Sequence, residues 1–227
     1  MTTTLITGAN KGIGFETAKQ LLAAGHDVWI GARDVTRGEA AARELGGRSV
    51  QLDVTDDASV AAAAETVGAL DVLINNAGVP GPLPTAFELD PEPMRPMFEV
   101  NLFGLVRVTK AFLPRLEKSA RPVIVNVTSG LGSLHLATDP ESIASSFTPF
   151  AYGAAKAGVN MLTVQYAKAL PAFRINCVDP GFTATDFNRH QGTQTVAEGA
   201  EAVVRLAQVG PEGPTGGFFD RAGVVPW

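Results

Sequence analysis

Two tyrosines occur among 227 residues, and Tyr152 stands four positions before Lys156 in a segment of helical period. Positions i and i+4 share a helix face, so a phenol and an ammonium would lie side by side. That pairing suits proton transfer. A phenol with an ordinary pKa near ~10 can donate a proton, and an adjacent cation favours the phenolate needed for the reverse step. Taken alone, a Tyr-x-x-x-Lys pair more often belongs to a packed amphipathic turn, so the neighbouring chemistry has to decide. Hydroxyls crowd the end of an earlier apolar run, Val125-Asn126-Val127-Thr128-Ser129-Gly130, with Ser133 close behind. A hydroxyl placed there could hold a substrate oxygen and stabilise charge that develops on it.

A second group is built of glycine. Glycine accounts for 24 residues, above the usual ~7%. Several fall in Thr7-Gly8-Ala9-Asn10-Lys11-Gly12-Ile13-Gly14, between a short apolar run and a helical one. At such a turn Gly8 permits the bend, Gly12 lets backbone approach a pyrophosphate seated on the helix N-terminus, and Gly14 lets the helix pack close to the sheet. The second apolar run ends Gly31-Ala32-Arg33-Asp34, with Arg37 just beyond. Forked guanidinium donors suit a phosphate dianion, so Arg33, Arg37 and Lys11 could converge on a 2′-phosphate. The bland alternative is a solvated helix face.

The elements that must position these groups alternate along the chain. Strand-length runs cover Thr3–Thr7, Asp27–Ala32, Ser49–Leu52, Asp71–Ile74, Val123–Thr128, Arg174–Val178 and Gly217–Asp220. Between them Ile13–Ala24, Thr36–Leu45, Ala58–Val67, Val100–Leu116, Tyr152–Leu170 and Val196–Gln208 carry apolar residues three and four apart, with Asp56 or Asp57 as an N-cap. This pattern predicts an α/β chain: a Rossmann-type, doubly wound, seven-stranded parallel sheet with helices on both faces. No composition break divides it, so one domain is expected over 1–227, with a cofactor half to about residue 130 and a catalytic and substrate half after it. Proline-rich Val79–Pro96 and polar Ser133–Pro149 are expected to be surface loops.

Composition closes off other classes. A net charge of −5 and the lack of a dense basic run argue against nucleic acid or an anionic membrane as partner. The single cysteine, Cys177, excludes an internal disulfide and a cysteine zinc site, and no metal is expected. The N-terminus lacks a basic segment leading into a long apolar run, and a cytoplasmic location is the expectation.

The glycine spacing, Asn75-Asn76-Ala77-Gly78, the order Asn101, Ser129, Tyr152, Lys156, and Asp179-Pro180-Gly181 together resemble the classical short-chain dehydrogenases/reductases. Within that family the likeness is greatest to the monomeric NADPH-dependent carbonyl reductases, through Asn10–Gly14, Ala32–Gly38 and Gly213–Phe218. The resemblance implies a tetrad in which Tyr152 is the general acid/base. Ser129, preferred over Thr128 and Ser133 by the family motif, holds the substrate oxygen. Lys156 lowers the phenol pKa and binds ribose, and Asn101 anchors a water. Cofactor contacts are implied for Gly8, Asn10, Lys11, Gly12, Ile13 and Gly14 in the glycine loop. Further contacts are implied for Arg33 and Arg37, for Asp53 and Val54 at the adenine, and for Asn76, Ala77 and Gly78. Tyr152 and Lys156 join them, as do Pro180, Gly181, Thr183 and Thr185.

The expected function is NADPH-dependent reduction of a ketone or aldehyde to an alcohol, with NADP⁺ as product. Two other functions stand beside it: an NADP-dependent secondary alcohol or steroid-type dehydrogenase acting oxidatively, and a non-catalytic NADP(H)-sensing protein. One departure from the family concerns spacing. The separation of 23 positions from Ser129 to Tyr152 exceeds the usual gap, and the surplus falls in Ser133–Pro149. Monomeric members carry a longer insertion there, which blocks a dimerisation helix; with the shorter one here a monomer is expected, with a homodimer as the alternative. Phe147, Phe150, Phe182, Phe187, Met94 and Trp227 could line an open substrate pocket or belong to the core. His135 and His190 read as solvated loop residues.

Overall fold

The computed structural model describes residues Met1–Trp227. Seven strands form one sheet: β1 (Thr3–Thr7), β2 (Asp27–Ala32), β3 (Arg48–Gln51), β4 (Val72–Asn75), β5 (Val123–Val127), β6 (Arg174–Val178) and β7 (Phe218–Phe219). Their order is β3-β2-β1-β4-β5-β6-β7, and every pairing is parallel. The direction of winding reverses between β1 and β4. In open α/β sheets that reversal leaves a crevice beyond the carboxyl ends of the strands.

Alternation of side chains along the strands sorts the core into two layers. Leu5, Trp29, Leu73 and Ile124 face one way, where they meet Val60 and Ala64 of α3 (Asp57–Val67) and Val108 and Phe112 of α5 (Gly104–Leu116). Ile6, Val28, Ile30, Ile74 and Val125 face the other. There they meet Ala18 and Leu21 of α1 (Gly12–Ala23), Ala41 of α2 (Val35–Leu45), and Val203 and Leu206 of α8 (Val196–Ala207). β5 is buried along its whole length: Val123, Ile124, Val125 and Val127 require it, and Asn126 is buried among them with its side chain bonded to Asn75 and Thr163. The helix α7 (Phe150–Ala169) lies on the first face and carries Tyr152 and Lys156 near its start.

Two segments read as loops contain helix. Val79–Pro96 includes most of α4 (Pro91–Phe98), capped by Asp90, whose Oδ1 accepts the Glu92 N–H at 2.8 Å. Pro91 and Pro93 fall in the first turn, where an N–H has no partner within the helix, so neither interrupts it, and a third proline, Pro96, lies inside the helix. A five-residue π-helical turn, Glu99–Phe103, then joins α4 to α5, and the helical path therefore begins well before Val100. Ser133–Pro149 holds a short helix, α6 (Leu134–Thr138), capped by Ser133, and a 3-10 turn at Ile143–Ser146 capped by Ser142. Asp56, and not Asp57, caps α3. No helix is long and apolar enough to cross a membrane.

Candidate active site

The glycine loop leaves β1 and enters α1 at the crevice. Gly8 has φ +65°, and a Cβ on it would meet Ala77 Cα at 3.0 Å, so the turn after β1 is pressed against the end of β4. A Cβ on Gly14 would lie 2.5 Å from Asn76 Nδ2. That amide donates to Thr7 O at 2.8 Å and Gly8 O at 3.2 Å, so the Asn76 side chain braces the loop from behind. Thr7 Oγ1 completes the brace by accepting the N–H groups of Asn76 and Ala77.

The start of α1 is unlike that of α2, α3, α4 or α8. Those four carry side-chain caps from Asp34, Asp56, Asp90 and Thr195. At α1 the N-cap is Lys11, with no side-chain cap and no acidic residue in the first turn. Its free N–H groups and the positive end of the helix dipole are left for an anion, and the glycine cradle in front gives backbone access. These residues fit the pyrophosphate of a nicotinamide dinucleotide.

The other expected cofactor residues are placed as follows. Arg33, just past β2, is exposed and has no carboxylate partner, whereas Arg37 lies 3.6 Å from Asp34. Lys11 does not reach toward Arg33: its Nζ pairs with Asp186 Oδ2 at 2.8 Å, across the crevice, and His190 Nε2 meets the other Asp186 oxygen at 2.9 Å. Asp53 Oδ1 accepts from Thr55 N and Oγ1, and Val54 beside it is buried. Thr183 Oγ1 donates to Pro180 O, fixing the turn through Gly181, and Thr185 lies against Gly12, its Cγ2 3.5 Å from where a Cβ would sit.

At the start of α7, Lys156 is 4% exposed, and its Nζ donates to Val127 O at 2.9 Å and lies 5.6 Å from the centre of the Tyr152 ring. Asn101 sits in the π-helical turn, 2% exposed. Its side chain grips Val79, accepting from the backbone N–H at 2.8 Å and donating to the carbonyl at 2.9 Å. A Cβ on Gly78 would fall 3.2 Å from Asn101 Oδ1 and 3.8 Å from Lys156 Nζ, so these three residues converge. Of the three candidate hydroxyls, Thr128 is buried and bonded to Asn160 Oδ1, and Ser133 is buried and bonded to Pro226 O. Ser129 is half-buried and lies beside the Tyr152 phenol. Phe187, from the loop after β6, places its ring centre 5.7 Å from that of Tyr152.

Burial decides the protonation states. It raises the Tyr152 phenol above its ordinary pKa, with Asp179 adding to the rise and the Ser129 hydroxyl opposing it. It lowers Lys156 to about 8, against the pull of Asp179 and Cys177. The site near neutrality is therefore a phenol beside a cation.

Two residues of the site have no role assigned from the sequence. Asp186 is brought in by the loop after β6, from far along the chain. Asp179 is a carboxylate set into the site wall, and its own pKa is raised chiefly by burial. Of the expected pocket residues, Met94 packs on a small cluster of Met97, Ala151 and Ala155, and Trp227 stacks on Phe218 at 5.5 Å. Phe147, Phe182 and Phe187 are exposed.

Residues 2–195 match the model of the family described as short chain dehydrogenase. The chain is similar to a (+)-neomenthol dehydrogenase of Arabidopsis thaliana, 34% identical over 281 aligned residues that cover 96% of this chain and 95% of that protein. Among solved structures it is similar to salutaridine reductase from Papaver somniferum, with 31% identity, a TM-score of 0.84, and coverage of 96% and 99% of the two chains. An NADPH-bound carbonyl reductase from chicken fatty liver superposes with a TM-score of 0.85 at 26% identity, covering 99% of this chain and 98% of that one. A glycine turn before an uncapped helix, a phenol-ammonium pair at the start of α7 and a family match over most of the sequence agree: the chain belongs to the short-chain dehydrogenase family.

Proposed function

We propose that this protein is an NADPH-dependent carbonyl reductase, reducing a ketone or aldehyde to an alcohol with Tyr152 as proton donor. The observation that carries the reading is the placement of the Tyr152 phenol between Ser129 and Lys156, at the strand ends beside the braced glycine loop. A bound nicotinamide dinucleotide supplies the hydride. The residues of the chain do the rest. Ser129 donates its hydroxyl proton as a hydrogen bond to the substrate oxygen, which fixes the carbonyl near Tyr152 and stabilises charge as it builds on oxygen. Tyr152 then gives that oxygen its proton. Lys156, anchored on Val127 O, keeps a cation beside the phenolate left behind. Gly78 leaves room where Lys156 and Asn101 meet, the place for a ribose edge and a water. Arg33, free of any carboxylate, is the group that reads a 2′-phosphate.

The substrate side favours apolar or aromatic carbonyl compounds, since Phe187 faces Tyr152 and the exposed Phe182 stands on the same loop. The aligned lengths of 281 and 294 residues exceed the 227 residues of this chain, so those relatives, a neomenthol dehydrogenase and a salutaridine reductase, carry segments that it lacks. An open cleft and broad acceptance among small ketones are the expectation. The test is a panel of ketones, quinones and aldehydes assayed with NADPH and with NADH. Turnover of several apolar ketones with at least ~10-fold preference for NADPH supports the reading. Faster NADP⁺ reduction with secondary alcohols and no ketone reduction would favour an oxidative enzyme.

A further inference from the structure

The chain after β7 doubles back. Val224 bridges antiparallel to Phe219, and the Val225 N–H donates to Phe218 O at 2.8 Å. Val225 is buried there with Phe218 and Cys177, and Leu136 of α6 packs on the same cluster. The next two residues reach the start of α6. Ser133 Oγ donates to Pro226 O at 2.7 Å, the His135 N–H donates to Trp227 O at 2.9 Å, and the Trp227 ring stacks on Phe218. Val224–Trp227 is thus a strap fastened to β7 on one side and to α6 on the other.

Ser133 is where the strap meets the turn that carries Ser129. It is 1% exposed, and all of its polar groups are engaged. Its N–H donates to Gly130 O and its carbonyl accepts the Ala137 N–H, both at 3.0 Å, while its Oγ also accepts the Leu136 N–H at 3.0 Å. One residue earlier, the Gly132 N–H donates to Ser129 O at 2.9 Å. The other side of this turn is pressed against α7. A Cβ on Gly132 would fall 2.6 Å from the Lys156 backbone carbon, and the Asn160 amide donates to Gly132 O at 3.1 Å. The turn is held between α7, which carries Tyr152 and Lys156, and the strap.

We infer that Ser133 is a positioning residue which, through its bond to the strap Val224–Trp227, fixes the Ser129 hydroxyl against Tyr152. The inference rests on the reading of Ser129 as the group that holds the substrate oxygen. A group that stabilises developing charge has to be held to within about 0.5 Å of its working place. Ser129 is half-buried, and its Oγ accepts one backbone N–H, that of Leu131 at 3.2 Å, so its placement follows that of the turn. Contact with α7 at Gly132 fixes one side of that turn, and without the strap the turn can pivot about this contact. β7 is the edge strand farthest from β3, well away from the glycine loop after β1. Loosening the strap therefore acts on the carbonyl and spares the dinucleotide.

The test combines amide hydrogen exchange with single-turnover hydride transfer from NADPH to a ketone that the parent reduces. Ser133→Ala removes the bond to Pro226 O and the cap of α6, and Trp227→Ala removes the ring that stacks on Phe218. In both variants exchange at His135 and Leu136 should quicken by about tenfold or more. Hydride transfer at saturating ketone should slow by about tenfold in Ser133→Ala, with NADPH Kd within about threefold of the parent. Ser133→Thr, which keeps a hydroxyl at the cap, should bring the rate back to within about threefold. In a Ser129→Ala background, Ser133→Ala should slow transfer by less than about twofold further, which a general loosening of the fold would not produce. Unchanged exchange in Ser133→Ala overturns the inference, as does quickened exchange with transfer within twofold of the parent. Equal slowing with and without the Ser129 hydroxyl overturns it too, and so does failure of both Ser133→Ala and Trp227→Ala to fold. Quickened exchange in a protein whose parent reduces no carbonyl would instead overturn the functional reading and leave the grip of the strap on the Ser129 turn standing.

Discussion

Replacing Gly14 with alanine sets a methyl group 2.5 Å from Asn76 Nδ2 and 3.0 Å from both Ala9 Cα and Gly8 O. Backbone on two sides cannot yield, so the Asn76 amide has to move. It then gives up its hydrogen bonds to Thr7 O and Gly8 O. Two hydrogen bonds at roughly 1 kcal/mol each, with overpacking of about 1–3 kcal/mol, act against a helix-propensity gain of about 1 kcal/mol. The expected net loss is about 2–4 kcal/mol, which for a chain of this size lowers Tm by about 4–16 °C. Because the disturbed carbonyls belong to the cradle, NADPH affinity should fall by about tenfold or more. Denaturant titration and fluorescence titration with NADPH read the two effects. The attribution to Asn76 is checked by a double-mutant cycle: with Asn76→Ala in place, Gly14→Ala should lose most of its stability cost, because the amide it strikes is gone. A cost that is the same in both backgrounds, or no cost in the parent, would refute the steric argument.

Other expectations follow from single observations. Arg33→Ala should weaken NADPH binding by about 10- to 30-fold and leave NADH within about twofold, measured as two Kd values; equal losses for both would remove Arg33 from the 2′-phosphate. Lys156, at about 8 in the fold against 10.5 as a free side chain, binds fewer protons folded than unfolded between those values. The cost of burying its charge is therefore full below pH 8 and is relieved as pH rises toward 10.5. Stability measured against Lys156→Met should rise over that window by on the order of 2–3 kcal/mol, and a flat difference would contradict the lowered pKa. Cys177, fully buried and pushed up to about 12, should resist a thiol reagent at pH 8 at least ~100-fold longer in the native protein than in denaturant; comparable rates would show that the strand opens.

Local patterns made the sheet legible. The bounds of β1, β2 and β6 match the short runs read from the sequence, whose residues are mostly apolar or small and mostly buried. The glycine loop is a short motif at the end of β1, whereas the order Asn101, Ser129, Tyr152, Lys156 is read from a family resemblance and is spread over the π-helical turn, the end of β5 and α7. Proline misled at α4. Read as punctuation, Pro91 and Pro93 concealed a helix whose first turn accepts them, and the π-helical turn that seats Asn101 has no sequence signature. The remaining gaps are long-range. Lys11 and Asp186 are 175 positions apart, so nothing near Lys11 says that its ammonium lies against a carboxylate across the crevice. Asp179 looked like part of a Pro-Gly turn, and its close approach to Gly130 is defined only by the packed chain.

The claim that Tyr152 is the proton donor of an NADPH-dependent reduction is tested most directly by single-turnover hydride transfer. The NADPH complexes of the parent and of Tyr152→Phe are mixed in stopped flow with a ketone that the parent reduces, and loss of NADPH absorbance is followed. The predicted result is a transfer rate about 10²–10⁴-fold slower in Tyr152→Phe, with NADPH Kd within about threefold of the parent. A Tyr152→Phe rate within tenfold of the parent, at equal NADPH binding, would contradict it.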